Sequence, residues 1–166
     1  MITRRRFTQI AAIGSLGLAG GTRASEPRAT AKKGCCLVAR DGTDWLGKIE
    51  RLQPSWMYTW GPNRPAELDP SIDFTPMLWG DAQPARQAKR IADLKERASA
   101  GEISHLLAFN EPDQHEQANM QVRRGLELWP DLMEVGVPLV SPGCVHPDGV
   151  WMHGFMEEVA RQSLRV

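Results

Sequence analysis

Short apolar runs alternate with longer amphipathic stretches through most of the chain, and this alternation restricts the possible folds more than any other feature. The apolar runs predict five strands, at residues 35–39, 55–60, 73–79, 105–109 and 138–141. Apolar residues at helical spacing predict four helices, at residues 44–52, 84–100, 122–135 and 150–162. Strands that alternate with helices pair in parallel through right-handed crossovers. The sequence therefore predicts an α/β fold around a parallel sheet.

The first 25 residues have the parts of a secretory signal. A basic start at residues 4–6 precedes an uncharged apolar run from 10 to 21, and Thr22-Arg23-Ala24 supplies small residues where a signal peptidase reads. The run is shorter than the roughly 20 residues that span a bilayer, and the arginine pair before Phe7 resembles a twin-arginine export signal. We therefore predict a twin-arginine signal peptide over residues 1–25 and a periplasmic or secreted bacterial protein. The alternatives are an amphipathic N-terminal helix and a membrane anchor.

The charges of the chain are unevenly distributed. The sequence has 20 basic and 20 acidic side chains, but residues 1–25 contain four arginines and no acid. Residues 26–166 therefore carry 16 basic and 20 acidic side chains, a net charge of −4. Nucleic-acid binding and polybasic membrane binding both need a basic face. We expect neither a nucleic-acid partner nor a membrane contact after signal cleavage.

The cysteines and histidines form no recognisable metal motif. Cys35 and Cys36 are adjacent, where a mutual disulfide would be strained, and Cys144 is distant. An odd count leaves one thiol free or allows one bond between distant strands, and we favour inert thiols buried in a strand. His115-Glu116 lacks the second histidine of a zinc-protease helix, and Cys144 with His146 gives too few ligands for zinc. Dinucleotide and phosphate-binding motifs are also missing from the sequence, so we predict no metal and no cofactor.

Polar side chains stand where the fourth predicted strand ends. Asn110 and Glu111 follow an apolar run directly, and Pro112 fixes the direction of the chain as it leaves the strand. In a parallel α/β barrel, the active site lies at the carboxyl ends of the strands. A partly desolvated carboxyl group there can act as an acid near neutral pH, so Glu111 is a candidate general acid. The alternative is that this segment caps the following helix, with Asp113 as the N-cap residue.

Tryptophan is frequent, with six tryptophans against one tyrosine. Trp56, Tyr58 and Trp60 alternate along the second predicted strand and so face the same way, and Trp79 ends the next strand. Flat aromatic rings stack on the apolar faces of sugars, so these four side chains are candidates for substrate binding, with ordinary core packing as the alternative. The other tryptophans lie on helical stripes and are expected in the core: Trp45, Trp129 and Trp151.

Several strings of residues, in order and with consistent spacing, resemble the motifs of one enzyme family. The second, third and fourth predicted strands carry WMYTWGP at 56–62, FTPMLWG at 74–80 and LLAFNEPD at 106–113. Three shorter segments continue the match: 117–120, 129–130 and 140–142. Together they resemble glycoside hydrolase family 128, the alkali-sensitive-linkage-protein-like hydrolases, over about residues 34–160.

The resemblance implies a (β/α)8 TIM-type barrel that hydrolyses β-1,3-glucan with retention of configuration. It implies that Glu111 is the general acid/base, with Asn110 beside it, and that the partner is a polysaccharide. A full-length form is expected to be a monomer. Retaining hydrolysis also needs a second carboxylate about 5–5.5 Å away as nucleophile, which the family places at the end of a seventh strand.

The predicted elements stop short of such a strand. Glu157 and Glu158 lie within the last predicted helix, which is the wrong context for the nucleophile. The sequence therefore predicts a partial catalytic domain over residues 26–166, a barrel truncated after about five β/α units, and inactivity of this chain by itself. Three hypotheses stay open: an exported glucan hydrolase whose sequence is cut short, a glucan-binding remnant without catalysis, and an inert barrel fragment that aggregates through its exposed edges.

Overall fold

Parallel strands and helices alternate along the part of the chain that the structure describes. The structure is a computed structural model and describes residues 32–81 and 83–166, so the predicted signal peptide lies outside the described residues. Within these ranges the strands are β1 Gly34–Cys36, β2 Trp56–Tyr58, β3 Asp73–Phe74, β4 Leu106–Leu107 and β5 Leu139–Val140. The helices are α1 Trp45–Leu52, α2 Pro84–Ser99, α3 Val122–Met133 and α4 Val150–Arg161. Every predicted strand and helix is present, and the α/β class is confirmed.

The strands follow one another in chain order and pair in parallel. β1 pairs with β2, where Gly34 lies opposite Trp56, β2 pairs with β3, and β4 pairs with β5. A parallel bridge between Met77 and Leu107 joins the two ladders, and the Leu78 N–H donates to the Leu107 carbonyl at 3.0 Å. The carboxyl ends of the strands therefore point the same way.

The regular ladders are shorter than the sequence predicts, and proline explains the interruptions. Pro76 lies inside the predicted third strand and lacks the N–H that a central strand donates. Pro138 and Pro142 border β5 in the same manner. Hydrogen bonds resume past the regular ladder, as from the Met77 N–H to the Gly61 carbonyl at 3.0 Å. The irregular strand ends therefore remain paired.

The helices end within two residues of their predicted bounds. Gly101 follows α2 with a φ of +73°, the left-handed conformation of a helix stop. Pro130 predicts a kink or a new turn, but α3 continues through it, and the Glu134 N–H bonds to the Pro130 carbonyl at 3.1 Å. Among the described helices, none combines the length and the apolar character needed to cross a membrane.

The core consists of two clusters. In the first, Trp45 and Ile49 of α1 pack with Met57 and Phe74 of the sheet. The second joins α2, α3 and α4 to β4 and β5, and Trp129 lies at its centre. The predicted core positions of Trp45 and Trp129 are confirmed.

Aromatic side chains form the middle of the second cluster. Trp129 is fully buried and meets Phe109 and Phe155 edge-on, with ring centroids 6.0 and 5.0 Å away. Trp151 is half-buried and stacks on Phe155 at 5.3 Å. These rings pack the end of β4 against α3 and α4. Phe109, which contributes one of the rings, directly precedes the candidate site residue Asn110.

The three cysteines are free, but none is fully buried as the sequence predicts, since Cys35 and Cys144 are partly buried and Cys36 is exposed. Cys35 lies opposite Met57 on the face that α1 covers, whereas Cys36 faces the other way, opposite Tyr58, and is exposed. Alternation along β1 explains the difference. Burial, helped by the neighbouring Cys36, raises the pKa of the Cys35 thiol. Burial also raises the pKa of Tyr58 to about 12, with Cys36 contributing.

The connection from β2 to β3 contains no helix, and Arg64 organises it instead. The guanidinium donates to the carbonyls of Ile72, Leu68 and Asp69 at 2.8, 3.2 and 2.7 Å. Leu68 and Ile72 are buried in the α1 cluster. One side chain thus ties together three carbonyls of a loop that has no regular secondary structure.

Replacing Arg64 with Met is expected to lower the free energy of unfolding by about 1.5–3 kcal/mol, because carbonyls bonded to a charged donor lose it. Urea denaturation measures the change. Arg123→Met is the control, since Arg123 is exposed on α3 and makes a long ion pair of 3.7 Å with Glu127. Equal midpoints for the two variants would contradict the role of Arg64.

Candidate active site

The carboxyl ends of β3, β4 and β5 are tied together by backbone hydrogen bonds. The Asn110 N–H donates to the Trp79 carbonyl at 2.8 Å, and the Glu111 N–H donates to the Gly143 carbonyl at 2.8 Å. The Gly143 N–H in turn donates to the Phe109 carbonyl at 3.0 Å. The backbone of Trp79 therefore meets that of Asn110 and Glu111, about 30 positions later in the chain, along one edge of the sheet. We call this edge the strand-end edge.

The predicted aromatic row lies on one face of β2. Trp56 and Tyr58 are stacked with ring centroids 6.5 Å apart, and Tyr58 meets Trp60 edge-on at 5.4 Å. Trp56 covers Gly34, where an added Cβ would lie 2.0 Å from the indole. An extended strand rises about 3.3 Å per residue, so Trp60 lies beyond the carboxyl end of β2 while Trp56 lies at its amino end.

Trp79 follows the third strand, and its backbone carbonyl is bonded to the Asn110 N–H. Its side chain is 38% exposed although its neighbours along β3 are buried. The following Gly80 approaches the loop after β4, because an added Cβ would lie 3.2 Å from Cβ of Ala118. A large exposed ring at the end of a buried strand is suited to contact a flat ligand surface.

Glu111 adopts an unusual backbone conformation, with a φ of +46°. Such a conformation costs about 1–3 kcal/mol in a residue with a side chain and is found mainly where surrounding contacts impose it. Here the Glu111 N–H bonds to Gly143, and its carbonyl accepts from the Gln114 N–H at 3.0 Å. Trp60, at the end of β2, has a φ of +55°. Two of the five described non-glycine residues with a positive φ are thus candidate site residues.

Asn110 is buried, and its amide is oriented by a residue that sequence reasoning leaves without a role. Its Nδ2 donates to Oε1 of Gln117 at 3.1 Å, and its carbonyl accepts from the Ala118 N–H at 3.2 Å. One hydrogen of the Asn110 amide group stays available for a ligand. The motif at 117–120 contains Gln117, but nothing in its spacing indicates this contact.

Asp113 does not cap α3, since the N-cap residue of that helix is Gln121. Its carboxylate, 9% exposed, accepts the N–H groups of Val145 and His146 at 2.9 Å each, and Nδ1 of His146 lies 3.2 Å away. Burial opposes ionisation, but the backbone hydrogen bonds from His146 and Val145 outweigh it and lower the pKa of Asp113. The carboxylate is therefore charged at neutral pH and binds the loop after β5.

The Asp113 carboxylate also affects the pKa of the neighbouring Cys144 thiol. Burial, with the charge of Asp113 next, raises the pKa of Cys144 to about 11. The thiol therefore stays protonated at neutral pH, as expected for an inert cysteine. Among the described residues, no three His, Cys, Asp or Glu side chains are grouped to hold a metal ion.

Two other acidic side chains are held in ion pairs, and one cavity of about 450 Å³ borders Asp113 and His146. Glu158 pairs with Arg161 at 2.6 Å, and this hydrogen bond lowers the pKa of Glu158 to about 2. Asp81 pairs with Arg124 at 2.8 Å. A cavity of about 630 Å³ lies near Asp73, at the amino end of β3. Glu111 is therefore the glutamate that the described strand ends supply.

Comparison with known proteins gives consistent matches. The family described as "Glycosyl hydrolase catalytic core" matches residues 34–164. A family 128 endo-β-1,3-glucanase of subgroup I from Amycolatopsis mediterranei, in complex with laminaritriose, is 32% identical with a TM-score of 0.62, covering 81% of this chain and 53% of that one. A variant of that enzyme with laminaripentaose is 36% identical with a TM-score of 0.62, covering 81% and 54%.

A fungal structure matches to a similar extent. The curdlan-specific exo-β-1,3-glucanase of subgroup III from Blastomyces gilchristii, in complex with glucose, is 32% identical with a TM-score of 0.57, covering 79% of this chain and 56% of that one. The chain thus spans about half the length of the solved structures it matches. No curated protein gives a significant match.

Proposed function

The chain belongs to the glycosyl hydrolase catalytic core family, with a domain of the family 128 type, and on this premise we propose that it acts in the hydrolysis of β-1,3-glucan. The observation that carries the proposal is the position of Glu111 at the end of β4, hydrogen-bonded through its backbone to the end of β5. Solved structures similar to this chain are β-1,3-glucanases in complex with laminari-oligosaccharides.

Each predicted site residue has a role in this proposal. Glu111 protonates the leaving glycosidic oxygen and afterwards activates water. Asn110 donates its remaining amide hydrogen to a sugar hydroxyl. Trp60 and Trp79 form the platform on which sugar rings stack, while Trp56 and Tyr58 support Trp60 from below.

The five parallel strands in chain order support a TIM-type barrel, with the site at the carboxyl ends of the strands. A retaining mechanism requires a second carboxylate about 5–5.5 Å from Glu111. The described strand ends offer no second glutamate, and Asp81 is engaged by Arg124. We therefore assign the acid/base half of the reaction to this chain and leave the nucleophile to a carboxylate outside the described strand ends. The signal-like residues 1–25 support export by the twin-arginine route.

Laminarin separates the possible functions. The protein purified from its own cells is assayed for reducing-sugar release and for retardation in gels that contain laminarin. Sugar release supports hydrolysis, and retardation without release favours the glucan-binding alternative that the Trp60 and Trp79 platform supports. A protein that shows neither contradicts both functions, and aggregation in the same preparation favours the inert fragment.

Replacing Trp60 with Ala is expected to weaken glucan binding by about 1–3 kcal/mol, if stacking on a sugar is comparable to stacking on a base. Gel retardation over a range of laminarin concentrations measures the loss. Leu52→Ala is the control, because Leu52 is an apolar side chain that is 40% exposed and lies on α1. Unchanged retardation of Trp60→Ala would argue against the platform.

A further inference from the structure

Two loops at the strand-end edge are fastened to each other around the candidate acid. The segment 109–113 follows β4, and the segment 143–146 follows β5. Backbone hydrogen bonds join them at Gly143, which accepts from Glu111 at 2.8 Å and donates to Phe109 at 3.0 Å. Farther along, Asp113 accepts two more N–H groups, from Val145 and His146. Both contacts bring together residues more than 30 positions apart.

We propose that Asp113 is a positioning residue, whose carboxylate clamps the loop after β5 and thereby holds the backbone of Glu111 in place. This inference rests on the proposed function of Glu111. Glu111 itself supplies little restraint, since its φ of +46° is unfavourable. Gly143 provides the hydrogen bond to the Glu111 N–H, and the loop that carries Gly143 is fixed two residues later by the Asp113 carboxylate.

The chemistry of the clamp requires a carboxylate. Each of its two oxygens accepts one backbone N–H, Oδ1 from Val145 and Oδ2 from His146. An asparagine has one acceptor oxygen, so its NH2 group would face a backbone N–H, donor against donor. The side chain is 9% exposed, and water cannot easily replace the lost acceptor. Asp113→Asn therefore removes one of the two bonds while barely changing the volume.

The test measures amide hydrogen exchange and kinetics in Asp113→Asn. Asp148→Asn is the matched control, because Asp148 is an exposed carboxylate on the same loop. In Asp113→Asn, the amides of Glu111, Val145 and His146 are expected to exchange at least tenfold faster, whereas Asp148→Asn leaves them unchanged. With laminarin as substrate, kcat is expected to fall at least tenfold with KM within twofold, since Trp60 and Trp79 lie on other strands.

The outcomes separate this inference from the proposed function. Unchanged exchange in Asp113→Asn overturns the clamp, and faster exchange with unchanged kcat overturns its role in positioning Glu111. A wild-type protein that releases no sugar contradicts the proposed hydrolysis, while exchange at the Glu111 amide still decides the clamp. Asp113→Glu, which keeps the charge, is the second variant. Loss of the whole fold in both variants would make Asp113 a general structural residue and overturn the positioning role.

Discussion

In the protein purified from its own cells, Glu111→Gln is expected to lower the turnover of β-1,3-glucan by about 100- to 10,000-fold, the contribution that a positioned acid/base makes to catalysis. Glutamine has nearly the same shape as glutamate but cannot supply a proton to the leaving oxygen. The backbone bonds that hold residue 111 to Gly143 and Gln114 involve main-chain atoms, so the substitution leaves them intact. Release of reducing sugar from laminarin measures the loss.

Three comparisons make this experiment specific. Glu116→Gln, an exposed glutamate in the same loop, is expected to keep full turnover. Retardation by laminarin should persist in Glu111→Gln, because the platform of Trp60 and Trp79 is untouched. A dinitrophenyl leaving group departs without being protonated. The variant should therefore cleave a dinitrophenyl laminarioside much faster than it cleaves laminarin. Equal turnover of laminarin by Glu111→Gln and the wild type would refute the assignment.

Trp129→Ala is expected to lower the free energy of unfolding by about 3–5 kcal/mol, the usual loss for a large aromatic residue removed from a core. Trp129 is fully buried between Phe109 and Phe155, and its Nε1 donates to the Arg165 carbonyl at 2.8 Å. Because a domain is stable by only about 5–15 kcal/mol, this change threatens the whole fold. Urea denaturation followed by far-UV circular dichroism measures it.

Trp79→Ala is expected to affect glucan binding more than stability, the reverse of Trp129→Ala. This indole is partly exposed at the strand-end edge, so its removal should weaken glucan binding and change the unfolding midpoint little. Trp129→Ala, measured where it is still folded, should retain more binding than Trp79→Ala. A destabilisation of Trp129→Ala no larger than that of Trp79→Ala would show that the position of Trp129 in the core has been misjudged.

Local patterns predicted the secondary structure well where apolar residues recur at helical spacing or where a glycine ends a helix. Four apolar stripes gave helices whose ends agree with the structure within two residues, and Gly101 marked the end of α2. Strand lengths were predicted less well, because apolar runs do not show where a ladder is interrupted. Pro76 carries that information in the sequence, since it has no N–H to donate, but the apolar character of its neighbours conceals it.

The candidate site was predicted in part. Glu111 and Asn110 follow directly from their place after an apolar strand, and the shared face of Trp56, Tyr58 and Trp60 follows from alternation. The packing of the Trp56 indole over Gly34 did not follow, because it depends on which strand pairs with β2. The alternative of Asp113 as a helix cap is wrong. A cap and a loop clamp use the same side chain and differ only in which N–H groups lie nearby.

By itself, the sequence determined the order of strands and helices, the parallel α/β class and the position of Glu111 at a strand end. These depend on spacing between near neighbours, which backbone geometry converts directly into a helix face or a strand face. The tertiary structure alone decided that Arg64 closes the loop from β2 to β3, that Gln117 orients Asn110, and that Asp113 binds Val145 and His146. Those contacts join irregular segments whose meeting depends on how the sheet and helices pack, and no local periodicity encodes them.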